Sequence, residues 1–465
     1  MLKRINVEIY KKLDNNWKFE NVIALIFVIF GILGWQFNYL IGAIPSIILS
    51  IFLMLVSNKF KYVIPTALVL LFSYNKGYEA QTFPFDIVIT VAIYVVFVAI
   101  FAIIHFKKEK LKNIKGIIGF SILAIGFIIP IFWADLITEE YKIFYVMYFS
   151  WLLYLILYVI LCINIEKDSF RIISFSFSYL AILITYELVV TLIRWHYDNL
   201  EESVFSFWSY IGWGLCNEAG IVLCFILPFI FYELFKANTK TISVISIIKL
   251  LIALGGIVIT MARGSYLCGG LITFILSLVL IFKKNDYRLF KIITLLVIVI
   301  VALVVIQFKV NVFKYIVDFI SKVFEKKLSA NGRNEIWTDA FNVMSDKDYK
   351  VIFGSGIVSE IKKLNIFHGV QYSFAVYHST TLEVFVSAGI IGLIGLGIHF
   401  AEKYTMLLSK DKLFIIVFGV GYLMVDLYGL IDNTYGMYYY MVPLCIMMAT
   451  INNCSDTELF KNNEL

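Results

Sequence analysis

The feature that most constrains this chain is the recurrence, from Val22 to Ile451, of apolar stretches separated by short charged interruptions. Stretches of about 20 residues, rising ~1.5 Å per residue as helices, are long enough to cross a hydrocarbon core of about 30 Å. The chain is 61% hydrophobic and only 15% charged, with a mean hydropathy of +0.88, whereas globular domains average about 25% charged residues. A soluble fold is excluded, and the chain reads as an all-α, polytopic integral membrane protein. The first apolar run follows a charged start but is not closed by a small-residue cleavage site. It is therefore expected to be a retained span and not a signal peptide.

Taken in order, the runs predict spans at 22–37, 39–57, 62–74, 85–105, 116–134, 143–163, 170–193, 209–233, 242–262, 265–282, 290–308, 379–401, 413–430 and 435–451. The total is 14, or 12 if the first two are one run and the short 62–74 stretch fails to cross. Lysine and arginine then set the expected orientation. Lys3, Arg4, Lys11, Lys12 and Lys18 precede the first span, and Lys107, Lys108, Lys110, Lys112 and Lys115 form the densest loop cluster. Placing both in the cytoplasm puts Lys236/Lys240, Lys283/Lys284/Arg288/Lys291 and Lys403/Lys410/Lys412 inside as well. The acidic loops with Asp135/Glu139/Glu140 and Asp198/Glu201/Glu202 then fall outside, and both termini are cytoplasmic. The net charge of +6 is thus explained by topology and gives no reason to expect nucleic acid.

Residues 309–377 carry 10 Lys or Arg yet fall outside by parity, as long loops can. Phe313, Ile316, Val317, Ile320, Val323 and Phe324 recur at helical spacing, as in a helix lying on a bilayer surface. A short second helix is expected from Asn334 to Met344, and Gly354 and Gly356 break the chain before it re-enters the membrane. The expected organisation is N-terminal spans (1–205), a membrane core (206–308), a large extracytoplasmic loop (309–377), C-terminal spans (378–451) and a polar, disordered cytoplasmic tail (452–465). The six cysteines lie mostly in apolar runs, without C-x-x-C spacing or a histidine at ligand distance, so neither a disulfide framework nor a zinc site is indicated.

A few polar residues stand where an apolar helix begins or ends. His378 opens the span after the long loop and is titratable near neutral pH; a histidine satisfied by a backbone carbonyl would explain it too. Arg263, in MARGSYL, sits between two runs with hardly any loop, either as an interfacial anchor or as a clamp for phosphate or carboxylate. Arg333, in NGRNEIW, reads as a solvated loop arginine or a second cation. Glu218, beside Asn217, lies near the outer end of a span, where a carboxylate is a functional candidate by default. Asp432 and Asn433 come at another outer end, where a turn explains them equally well. The charge-derived topology puts all of these on one side.

The string His378-Ser379, nine residues, Gly389-Ile-Ile-Gly392 resembles the H-[NSQ]-x9-G-x-x-[GTY] signature of the O-antigen ligase and O-antigen polymerase superfamily. Arg263-Gly-Ser-Tyr-Leu267 is similar to that family's R-x-x-x-L element, Gly332-Arg-Asn-Glu-Ile-Trp337 to the arginine-bearing start of its large loop, and Asn217-Glu-Ala-Gly220 is familiar from its core. The likeness covers about residues 205–450; the earlier spans match only in hydropathy.

The resemblance implies a GT-C-like, inverting glycosyltransferase working outside the cytoplasmic membrane on glycans carried by undecaprenyl diphosphate, as donor and as acceptor. For such a reaction His378 and Glu218 are the candidates for catalysis, Arg263 and Arg333 for the diphosphate, and Asn217 and Asp432 for substrate. No aspartate motif for a divalent ion is present, so neither metal nor cofactor is expected. A chain-length regulator and a flippase are the partners it implies. Heavy use of Ile, Lys, Asn, Phe and Tyr resembles proteins of AT-rich genomes, many without lipopolysaccharide, which favours a polymerase of O-antigen, capsular or exopolysaccharide repeats over a ligase. A transporter or flippase of lipid-linked oligosaccharide is the rival class; it predicts internal repeats with broken helices in matching halves, and neither is evident.

Overall fold

The computed structural model describes residues 16–75, 85–106, 108–133, 148–199, 211–297, 333–356, 377–454, 457 and 459–460. No β-strand occurs among them. We number the main helices α1 (Trp17–Gln36), α2 (Tyr39–Ser57), α3 (Val63–Phe72), α4 (Phe85–Ile104), α5 (Ile117–Ile128), α6 (Ser150–Asn164), α7 (Phe170–Asp198), α8 (Cys216–Lys236), α9 (Lys240–Ile259), α10 (Arg263–Phe282), α11 (Arg333–Ser345), α12 (Asp348–Phe353), α13 (Thr380–Leu408), α14 (Lys412–Tyr428) and α15 (Tyr438–Asn453). Residues 288–297 are also helical.

Eight of these, α1, α2, α4, α7, α8, α9, α10 and α13, are long and apolar enough to cross a membrane. Of the other expected spans, 62–74, 116–134 and 143–163 appear as the shorter apolar helices Phe60–Phe72, Ile117–Phe132 and Ser150–Asn164, and 413–430 and 435–451 as α14 and α15. The second half of the 290–308 span and the surface helix expected around Phe313–Phe324 lie outside the described residues.

The bundle is built around α8. Its most apolar window is 94% buried, because α7, α9, α10, α14 and α15 all pack against it. By contrast α4, with 22% of its window buried, presents most of its surface outward, as a lipid-facing helix does. On the other side α5 and α13 approach unusually closely. A β-carbon at Gly119 would fall 2.5 Å from the His399 backbone, and one at Gly395 would fall 3.0 Å from Leu123 N; small residues at such contacts let two helix backbones pack directly. Glu402 of α13 accepts hydrogen bonds from Ile118 N (3.2 Å) and Gly119 N (2.8 Å), capping the free end of α5.

Two expectations need correction. Lys403 was grouped with loop lysines, but α13 continues to Leu408 and the Lys403 side chain is fully buried. Its partner, Asp426, lies on a different helix and far along the chain, so hydropathy could not reveal it. The polar tail is not wholly free either: Leu459 and Phe460 are buried, and the Phe460 ring meets Trp17 edge-on at 5.2 Å. The same ring also meets Phe175 of α7, at 5.9 Å.

α13 is two helical pieces joined at Gly389, whose φ of 64° and ψ of −157° lie where only glycine is comfortable. The break frees the Val386 carbonyl, which accepts from Ser355 N at 2.7 Å. Gly354 and Gly356, both at positive φ, carry the chain away from α12 here, as expected of a breaker pair. Trp133 Nε1 bonds Gly354 O at 3.0 Å. The described part of the large loop is thereby locked onto the start of α13.

Candidate active site

The two pieces of α13 matter because its N-terminus carries His378. Ser379 is the N-cap, its side chain accepting from Leu382 N, which gives a physical reason for a small hydrogen-bonding residue after the histidine. His378 itself holds φ at 48°, in the left-handed region, a conformation uncommon for a side-chain-bearing residue and concentrated at functional sites. Its side chain is 38% exposed, so a ligand can reach it.

Behind the imidazole lies Asp432, from the turn between α14 and α15. His378 Nδ1 is 3.3 Å from Asp432 Oδ1. Asn217 Nδ2 donates to Asp432 Oδ2 at 2.9 Å, and the Tyr428 hydroxyl approaches the same oxygen at 3.4 Å. Asp432 and Asn433 are both nearly buried. Asn433 Nδ2 donates to Glu383 Oε2 at 3.1 Å, and Tyr377 N donates to it at 3.2 Å, so the carboxylate of Glu383 braces the chain on both sides of the histidine.

Glu218 is one residue beyond Asn217, but its carboxylate turns back to accept the Leu215 N–H in a capping arrangement and pairs with Tyr439. Arg263 opens α10. The turn before it is tight: Met261 is left-handed at φ 55°, and the Tyr266 hydroxyl reaches back to Val258 O at 2.6 Å. Arg263 is exposed, which leaves its guanidinium open to an anion. It joins the site through its neighbour, since a β-carbon at Gly264 would lie 1.7 Å from the Tyr428 ring, the residue that reaches Asp432. Arg333 begins α11. One turn on, Trp337 Nε1 donates to Tyr377 O at 3.0 Å, beside His378.

Asn217, Glu218, Arg263, His378 and Asp432 thus gather at one end of the bundle, with the helix bearing Arg333 docked at the same end. The N-termini of α8, α10, α13 and α15 converge there, so the positive ends of four helix dipoles point at this end of the bundle. Among the described residues no group of three or more His, Cys, Asp or Glu could hold a metal ion.

Sequence reasoning missed Thr380, Glu383 and Tyr428, which hold the turn and the histidine, and Asp426 with Tyr435 beneath them. An acidic residue inside the 413–430 run was a usable signal for Asp426. Nothing in the spacing pairs it with Lys403.

A family model described as O-antigen ligase matches residues 248–397. The matched stretch runs from within α9 through Arg263, Arg333 and His378 to the second piece of α13. No curated protein matches the chain.

Proposed function

We propose, from the premise that this chain carries a domain of the O-antigen ligase and polymerase superfamily, that it transfers glycan from a lipid diphosphate to a sugar hydroxyl. It is a multi-pass membrane enzyme that handles lipid-linked glycans; the roles below are our reading of its site. The observation that carries them is the half-open His378 imidazole with Asp432 at 3.3 Å from its Nδ1. An Nδ1–H donated to Asp432 leaves Nε2 free to take a proton, which is the tautomer a general base needs.

In the proposed step the acceptor hydroxyl gives its proton to His378 Nε2 while its oxygen attacks the anomeric carbon. The bond from that carbon to the lipid diphosphate breaks, and the diphosphate leaves with the electron pair. Arg263, Arg333 and the converging helix N-termini take up the charge that grows on the leaving group. One displacement inverts the anomeric centre. Asp432, expected to contact substrate, is better used here to orient the imidazole, with Asn217 holding its second oxygen. Glu218 supports the start of α8 from its capping position.

We place this end of the bundle on the extracytoplasmic side, with cytoplasmic termini, from the distribution of Lys and Arg. We favour a polymerase of O-antigen, capsular or exopolysaccharide repeats on undecaprenyl diphosphate; ligation of finished glycan to another envelope acceptor is the second reading, favoured by the description of the matching family. The test is His378→Ala and Arg263→Ala in purified protein supplied with a lipid-linked repeat. Both are expected to form no product while inserting at wild-type abundance, and normal product from either would remove its assignment.

A further inference from the structure

We propose that Lys403, Asp426 and Tyr435 form a positioning network that holds Asp432, and through it the His378 imidazole, in place; this rests on His378 being the base. Lys403, on the second piece of α13, uses all three donors. It reaches Asp426 Oδ1 at 2.7 Å, Asp426 Oδ2 at 2.6 Å and the Tyr435 hydroxyl at 2.7 Å. Asp426 also accepts from the hydroxyls of Tyr404 (2.6 Å) and Tyr435 (2.9 Å). The lysine side chain is wholly buried and the aspartate 10% exposed.

A fully buried ammonium needs an acceptor for each of its three N–H groups, and where Asp426 takes two the third is met by another partner. That partner, Tyr435, is on the same short turn as Asp432, residues 429–437. The turn is gripped from one side by Thr380: its Oγ1 meets Thr434 N at 3.0 Å and Asp432 O at 3.3 Å, and its backbone N–H donates to Gly429 O at 2.7 Å. It is gripped from the other by Lys403 and Asp426. Thr380 and Lys403 lie on the two pieces of α13 on either side of the Gly389 break, so the turn that carries Asp432 is held by both pieces, the first being the one that His378 precedes.

The Tyr435 ring is itself boxed by Trp151, His399, Phe400 and Tyr440, with centroids 5.2–6.5 Å away. Its hydroxyl can therefore be removed without freeing the ring. A buried ion pair adds little net stability over apolar side chains of similar volume. What this one adds is the direction of a hydroxyl, and with it the seat of the turn. A proton relay is not required, because the exposed edge of His378 can exchange protons with water directly.

The experiment compares wild type, Tyr435→Phe and the apolar double variant Lys403→Met/Asp426→Leu, each purified whole in lipid nanodiscs. Three readouts are taken: thermal unfolding, kcat and KM with a lipid-linked repeat, and the His378 Nδ1 proton signal in ¹⁵N-histidine spectra. Tyr435→Phe is expected to keep the wild-type melting temperature and the double variant to stay folded slightly below it, because the Tyr404 and Tyr435 hydroxyls lose Asp426; in both kcat should fall about tenfold or more with KM within about twofold, as for a displaced base and not a lost binding contact. The Nδ1 proton, protected by Asp432 in wild type, should exchange away in both. A folded Tyr435→Phe protein with wild-type kcat and an unchanged Nδ1 signal would overturn the proposal and leave the network as packing. Should the double variant fail to fold, Tyr435→Phe decides. Wild-type protein inactive on lipid-linked glycan would sink the reading of function, and the Nδ1 signal alone would then decide the positioning.

Discussion

Gly389→Ala should separate loop docking from membrane folding. At φ 64° and ψ −157° an alanine is strained, at a cost of about 1–3 kcal/mol. Its β-carbon would also fall 2.4 Å from the Ile352 carbonyl carbon and oxygen and 2.6 Å from Gly354 N. All three are backbone atoms, so no side-chain rotation relieves the contact and the end of α12 must lift. Lifting it breaks Ser355 N to Val386 O and Trp133 Nε1 to Gly354 O, at about 1 kcal/mol each. The sum, roughly 3–5 kcal/mol, falls on the docking of the loop and not on the bundle, and each ~1.4 kcal/mol is a factor of ten in that equilibrium. Limited proteolysis within residues 333–356, alongside glycan transfer, reads the effect. We expect accelerated cleavage and at least about a hundredfold loss of transfer, with insertion unchanged. Two glycines on the same helix serve as controls. A β-carbon at Gly392 meets Ala388 Cβ at 2.6 Å, Val384 Cγ1 at 3.0 Å and the Val384 carbonyl oxygen at 3.1 Å, looser backbone contact than at Gly389 and at an ordinary helical φ, and one at Gly397 meets nothing within 4 Å. Loss should therefore rank Gly389, then Gly392, then Gly397, the last indistinguishable from wild type. A fully active, protease-resistant Gly389→Ala protein would refute the reasoning.

Asp432→Asn keeps the shape but offers an amide where Nδ1–H is received, and kcat should drop by about 10²–10⁴, as general-base contributions do; a loss under threefold in a kinetic assay would return Asp432 to a substrate contact. Arg263→Lys retains charge without the planar fork, so transfer should recover only in small part relative to Arg263→Ala, and equal activity of Lys and Arg would reassign the residue to interfacial anchoring. Lys403→Met alone leaves Asp426 buried without its cation, so unfolding in detergent should shift by about 3–5 kcal/mol, whereas the apolar double variant should restore most of it. Equal melting temperatures for the single and double variants would contradict the pairing.

The spans were legible because each is a long apolar run, and their order follows from hydropathy. α11 was placed within a residue, at Arg333–Ser345 against an expected 334–344, since its boundaries are local turn chemistry. Candidate site residues could be collected because a polar side chain at the end of an apolar helix is conspicuous, and the structure brings Asn217, Arg263, His378 and Asp432 to one end. How they touch was not legible. Asp432 and Asn217 are 215 positions apart, and periodicity says nothing of which helix ends meet. The kink at Gly389 was equally hidden, because an apolar run reads the same whether its helix is straight or broken. Lys403 was misread for a related reason: a charge late in a span looks like the next loop until its buried partner is seen.

The central claim is that this site moves a glycan from one lipid diphosphate to a sugar hydroxyl. Purified protein given a single lipid-linked repeat unit, with no other acceptor, tests it most directly. A ladder of longer lipid-linked glycans is expected, one lipid diphosphate released per added repeat, and none with His378→Ala. Intact repeats carried between the two leaflets of a vesicle, with no new glycosidic bond formed alone or with added envelope acceptors, would contradict it.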